Sequence, residues 1–169
     1  LVVIIIIGIL SAIALPSFLN QANKARESEG KQYTGSMNRA QQAAYLERSV
    51  FSTDFGTLGL GIASNTTNYV YSMGAPTGVG SSGTYGTTTE AVTGAIIAAS
   101  GTPAYLEMAV VNAASPINTT TLRAYVGFID IVTERAGTIG GATTSAVLCQ
   151  KKTPGAVSSS FVTFDGTRS

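Results

Sequence analysis

LVVIIIIGILSAIALPSFLNQANKARESEGK, residues 1–31, is the stretch on which the reading of this chain turns. Its first fifteen residues carry no charge and a single polar side chain, Ser11. As a helix they would extend about 22 Å at ~1.5 Å per residue, whereas a bilayer core takes about 20 apolar residues. The run is a little short of a full span, and we expect further apolar residues ahead of Leu1. It reads poorly as a secretory signal, because it has neither a basic leader nor a small-residue cleavage site after it.

Four consecutive isoleucines, Ile4, Ile5, Ile6 and Ile7, would also suit a buried strand. The continuation decides for a helix. Beyond Pro16, apolar or small residues recur at Phe18, Ala22, Ala25, Tyr33, Met37, Ala40 and Ala44, spacings that draw one helical stripe. The opposite face carries Asn23, Lys24, Glu27, Lys31, Asn38 and Arg39, and reads as solvated. Glu27 and Lys31 stand four apart in the favourable order for an exposed ion pair, worth about 0.3 kcal/mol. Gly30 and Gly35 weaken a helix by up to ~1 kcal/mol each, which points to close packing or bending there.

One long helix therefore covers the first 48 residues, with two kinds of surface. Residues 1–22, apolar all round up to Leu15 and polar beyond it only at Ser17, Asn20 and Gln21, are expected to be enclosed by lipid or by other protein. Residues 23–48 are amphipathic and can lay one face on a head formed by residues 49–169. The side chains expected to enter a membrane or a helical polymer are Leu1, Val2, Val3, Ile4, Ile5 and Ile6, then Ile7, Gly8, Ile9, Leu10, Ile13 and Leu15. Gly8 and Pro16 are the expected weak points. Pro16 has no N–H for the carbonyl of Ala12, and it disfavours helical backbone at Leu15. We expect the helix to open between Gly8 and Pro16 in an assembled polymer and to be more nearly continuous in lipid, where freed backbone groups find no water.

Composition narrows the function classes. Charged residues make up 11% of the chain and the formal net charge is +1, so charge gives no indication of DNA binding. There is no histidine, which removes the commonest general base and metal ligand. The lone Cys149 cannot form an intrachain disulfide, and it reads as a small buried hydrophobe within the apolar stretch 146–149 rather than as a reactive thiol. No phosphate-binding loop, dinucleotide fingerprint or Cys/His metal spacing occurs, so no cofactor is expected. Asp130 and Glu134 lie four apart without an evident partner and read as surface charges. Asp165 lacks the companion carboxylates of a calcium site. We expect no enzyme.

The N-terminal stretch resembles the type IV pilin family, through its apolar run, Gly8, the ALP triplet ending at Pro16, and the polar continuation QANKARESE. The segment KARESEGKQYTGSMNRAQQAAYLE is similar to cyanobacterial major pilins. The resemblance covers about the first 50 residues; beyond them only the layout matches. It implies a structural subunit that rests in the inner membrane and polymerises with itself into an extracellular pilus. It also implies a prepilin peptidase, an inner-membrane platform with ATPases and an outer-membrane secretin as partners. Twitching motility, adhesion and DNA uptake are the implied roles. The family's methylated aromatic N-terminus and its nearby glutamate have no counterpart here, nor does the C-terminal disulfide of many pilins. In the family the residues after the apolar run face outward, yet Lys24 and Arg26 would by the positive-inside rule lie in the cytoplasm. A minor pilin or a type II secretion pseudopilin shares this architecture. A membrane-anchored periplasmic binding module is the alternative from another class.

In the head, a Gly- and Ser/Thr-rich connection over 49–68 leads to β-type runs at 69–73, 104–111, 122–132, 146–150 and 161–164. A short helix is expected over 90–100. The fold class is α+β: a meander of about four antiparallel strands whose one apolar face covers the helical stripe. Asn65 and Asn118 begin NTT tripeptides, and Thr87, Thr88, Thr89 and Ser158, Ser159, Ser160 form hydroxyl clusters. All read as solvated loops first and glycan acceptors second.

Overall fold

The computed structural model describes residues 1–74, 109–132 and 143–157. A single α-helix, α1, runs Val2–Arg48 and passes through Gly8 and Pro16 without interruption in the isolated chain. Its 47 residues correspond to a rod of about 70 Å. It ends on Ser49, which takes left-handed backbone (φ 57°) and donates its N–H to the carbonyl of Tyr45 at 2.7 Å. The 49–68 connection holds one short helical turn, α2 (Phe55–Leu58), capped by Asp54, whose carboxylate accepts the Thr57 N–H at 2.8 Å. The hydrogen bond from the Thr57 hydroxyl, with that backbone bond, holds the Asp54 carboxyl below its ordinary value of 3.8.

Among the described residues four strands follow: β1 (Tyr69–Gly74), β2 (Ala109–Pro116), β3 (Tyr125–Val132) and β4 (Thr143–Gln150). They form one antiparallel meander in the order β1-β2-β3-β4, as expected. The second strand lies further along the chain than the 104–111 expected, and residues 104–108 are outside the described set. The third strand starts at Tyr125 rather than 122, and the fourth is three residues longer at its start. The strand expected at 161–164, the helix at 90–100, both hydroxyl clusters, Glu134 and Asp165 also lie outside the described residues.

The expectation of one apolar sheet face needs correcting: both faces of the central strands are buried. Cross-strand register places Tyr71, Ala114 and Tyr125 in one row and Met73, Asn112 and Gly127 in the next, on the face that meets α1. Met37 packs there with Tyr69, Tyr71, Met73, Ala114, Leu122 and Tyr125, and Phe51 packs with Val110 and Ile129 further along. The second face gathers Ala109, Val111, Ala113, Val126 and Phe128, with Val157 seated on them. Small and apolar residues on both sides of β2 erase the period-two signal, which is why its bounds read poorly from sequence.

The helical stripe is also displaced. Gly30, Thr34, Met37, Asn38, Gln41 and Ala44 are buried, whereas Phe18 and Ala25 are exposed and Ala22, Tyr33 and Ala40 are half-buried. Asn38, expected on the solvated face, is in the core. Glu27 does not face solvent beside Lys31. It accepts the Arg123 backbone N–H at 3.2 Å and lies 3.9 Å from that guanidinium. Cys149 is half-buried on β4 rather than a core residue.

The two helix glycines have different reasons. A Cβ on Gly30 would stand 2.8 Å from the ring of Tyr69, so the sheet can approach only because no side chain is present. A Cβ on Gly35 would meet nothing nearer than the Arg39 guanidinium at 3.7 Å. Thermal unfolding of single variants should therefore split in sign. We expect Gly30→Ala to destabilise by about 1–3 kcal/mol through overpacking, and Gly35→Ala to stabilise by up to ~1 kcal/mol through helix propensity. Equal shifts in one direction would contradict this packing.

Candidate assembly interface

The helix has two surroundings along its length. Every large apolar side chain from Leu1 to Leu19 is at least half exposed, the least accessible being Ile6 at 50%. Among the described residues, no part of the head covers the apolar window, and this helix is long and apolar enough to cross a membrane. All twelve residues singled out for lipid or polymer contact, from Leu1 to Leu15, lie in this uncovered half. The structure brings them together as a bare rod and places no other part of the described chain against them.

The second half is fixed to the sheet by polar groups that are almost wholly buried. Asn112 on β2 donates through Nδ2 to Oδ1 of Asn38 at 2.9 Å, and Asn38 donates through Nδ2 to the Val147 carbonyl at 3.3 Å. One turn on, Gln41 accepts the Ser52 N–H at 2.9 Å and donates through Nε2 to the Ser52 carbonyl at 2.5 Å. The same Nε2 lies 3.3 Å from Sδ of Met73 and 3.5 Å from Oδ1 of Asn112. Buried amides without partners would each cost about 1–3 kcal/mol, so Asn38, with Gln41 against Asn112 and Met73, holds one axial register of helix on sheet, while the Ser52 bonds fasten the connection that follows the helix. Gly127 on β3 makes the space: a Cβ there would overlap the Asn38 amide.

Nearer the exposed half, Glu29 accepts from the Thr66 hydroxyl at 2.5 Å, Asn68 Nδ2 at 2.6 Å and the Tyr71 hydroxyl at 3.4 Å. The Tyr69 hydroxyl donates to the Arg123 carbonyl at 3.0 Å. Burial first, and then neighbouring Glu29, push the Tyr71 phenol well above its ordinary value of 10; burial, then Tyr125, Glu27 and Glu29, do the same to Tyr69. Both phenols thus remain neutral donors at any physiological pH.

The profile of the type IV pilin-like G and H family matches residues 27–168. The chain belongs to that family. The match covers the amphipathic half of α1 and the head, and the long helix packed on a four-stranded antiparallel sheet is an α+β pilin fold. No curated protein matches the chain. No solved structure matches it either. The family is structural and non-enzymatic. Among the described residues, no group of three or more acidic, His or Cys side chains could hold a metal ion.

Asn38, Gln41, Asn112 and Gly127 do not stand out in the sequence as residues of the joint. The available signal is that Asn38 and Gln41 share a helical face with Met37 and Ala44, at spacings of three and four. Asn65 and Asn118 are both exposed, and Asn118 Oδ1 accepts from the Thr120 N–H at 3.1 Å and hydroxyl at 2.7 Å.

Denaturant unfolding of the full chain in detergent tests the joint. Gln41→Leu should cost about 1–3 kcal/mol, because Ser52 and Asn112 lose their partner. Gln32→Leu, on the exposed side of the same helix, should stay within about 0.5 kcal/mol of the parent.

Proposed function

We propose that this chain is a repeating structural subunit of an extracellular type IV pilus, stored in the inner membrane and polymerised through the apolar half of α1. The observation that carries the reading is the bare rod, membrane-length and apolar, projecting from a head whose described residues cover none of it. Large apolar side chains gain about 1.5–3 kcal/mol each on leaving water, so residues 1–15 represent roughly 20 kcal/mol as an upper bound. Such a segment is held by lipid or by copies of itself. Lipid tails are about as apolar as leucine, so transfer from membrane to a bundle of identical helices costs little. A motor can then add and remove subunits against small free-energy differences. Head-to-tail contacts that do not close into a ring give an open helical filament.

A prepilin peptidase, an inner-membrane platform with ATPases and a secretin are the partners such a subunit needs. Twitching motility, adhesion and DNA uptake are the roles such a subunit would serve, and a formal net charge of +1 gives no indication of DNA binding. In the filament, Gly8 and Pro16 are where the helix is proposed to open.

Electron microscopy of cells carrying Ile6→Lys tests the proposal. An ammonium among packed apolar helices costs about 2.5–3.5 kcal/mol even on a lenient insertion scale. We expect surface filaments to disappear while circular dichroism shows the head still folded. Normal filaments on those cells would overturn the reading.

A further inference from the structure

The charges around the point where the bare half of α1 leaves the head are sorted by sign. Among the described residues, both acidic side chains there, Glu27 and Glu29, face inward. Glu27 is held by the Arg123 backbone, with its side chain 17% accessible, and Glu29 is bonded by Thr66, Asn68 and Tyr71. The bases face outward. Lys24 and Arg26 are exposed, two residues and therefore about 200° apart around the helix.

The sheet supplies further bases at the same level. Arg123, beside Glu27, keeps 43% of its side chain accessible. Lys151 donates its N–H to the Ala124 carbonyl at 2.9 Å and Gly155 donates to the Leu122 carbonyl at 3.1 Å, which sets the 151–155 turn next to Arg123. Lys152 on that turn is exposed. Lys24, Arg26, Arg123 and Lys152 thus form a basic collar around the helix exit. Among the described residues the only ion pair is that of Arg123 with Glu27.

We propose that this collar docks on the anionic headgroups of the phospholipid bilayer that holds the apolar helix before polymerisation. The inference rests on the proposed function, in which the subunit is stored in a membrane. Leu19 is the last large apolar residue of the exposed half, and five residues, or about 7.5 Å, separate it from Lys24. The headgroup region adds about 5–7 Å to each side of the hydrocarbon core. With Leu19 at the hydrocarbon edge, the Lys24 backbone lies at the outer limit of the headgroup layer. Arg26, and Glu27, which marks the level of Arg123, lie about 10–12 Å out, so the long basic side chains reach back to the lipid phosphates. Juxtamembrane basic clusters are attracted to such surfaces over about a Debye length. Contact with phosphate also gives Lys24 and Arg26 a reason to stand beside an apolar segment on the exported side, against the usual charge bias.

Amide spectra of the full chain in phospholipid nanodiscs test this. Neutral discs of phosphatidylcholine are compared with discs containing about a third phosphatidylglycerol. We expect the anionic discs to shift amides at 24–31, 123 and 151–153, and salt approaching molar, where the Debye length falls to ~3 Å, to erase those shifts. In the triple variant Lys24→Gln, Arg26→Gln, Lys152→Gln they should be lost. Identical spectra in both discs would overturn the proposal, as would shifts that survive in the triple variant. So would shifts reproduced in neutral discs by inorganic phosphate, or by raising the number of copies per disc, which would assign the collar to a second subunit. Failure of the chain to co-elute with discs of either kind would instead overturn the membrane-stored reading itself.

Discussion

Two buried side-chain amides, Asn38 and Gln41, tie the long helix to the sheet and to the connection that follows it, and the geometry of the molecule follows from that joint. Apolar contacts alone tolerate sliding: a helix stripe of Met37, Ala44 and Tyr33 would find nearly equal burial at several axial positions. The amides do not tolerate it. A one-residue shift would take Asn38 from Asn112 and the Val147 carbonyl and Gln41 from Asn112, leaving buried amides unpaired at about 1–3 kcal/mol each. Gly127 belongs to the same device, since only a residue without a Cβ lets the Asn38 amide reach between β2 and β4. Gly30 does the complementary job nearer the bare half of the helix, where the Tyr69 ring lies against helix backbone that carries no side chain.

A fixed register matters because the other half of the same helix is uncovered. Among the described residues, no part of the head buries residues 1–19, so their enclosure is left to lipid or to other protein. A rod that pivoted or slid in its head would transmit no defined spacing from one copy to the next. Holding it by polar groups on one side, with Glu29 and Glu27 engaged just above the exposed half, makes head and rod one body. In the proposed filament the joint would set the orientation of each copy and the apolar rod would supply the cohesion. Neither role needs a reactive side chain, in keeping with a structural, non-enzymatic family.

Much of this is legible in the sequence alone. The all-apolar run, the change to amphipathic spacing after Pro16, and the β-type runs punctuated by Gly and Thr together specify a long helix on an antiparallel meander. What stays hidden is polar or empty. Asn38 reads as a solvated residue because hydrophobic periodicity scores an amide as outward, yet its partners come from β2 and β4, more than a hundred residues away in one case. Glu27 reads as half of a local pair with Lys31, whereas the Arg123 backbone competes for it from across the fold. Glycines give no periodic signal, so Gly127 cannot be told from a turn residue. The family profile covers this head, where the unaided sequence offers only a layout.

Electron cryo-microscopy of filaments sheared from cells that express the chain tests the central claim most directly, at a resolution that shows side chains. We expect residues 1–19 of successive copies packed against one another along the filament axis, the sheet outside them, and the Asn38–Asn112 contact kept in every subunit. Filaments that lack the chain, or that hold it with residues 1–19 on the outer surface or with the helix shifted in register on its sheet, would contradict it.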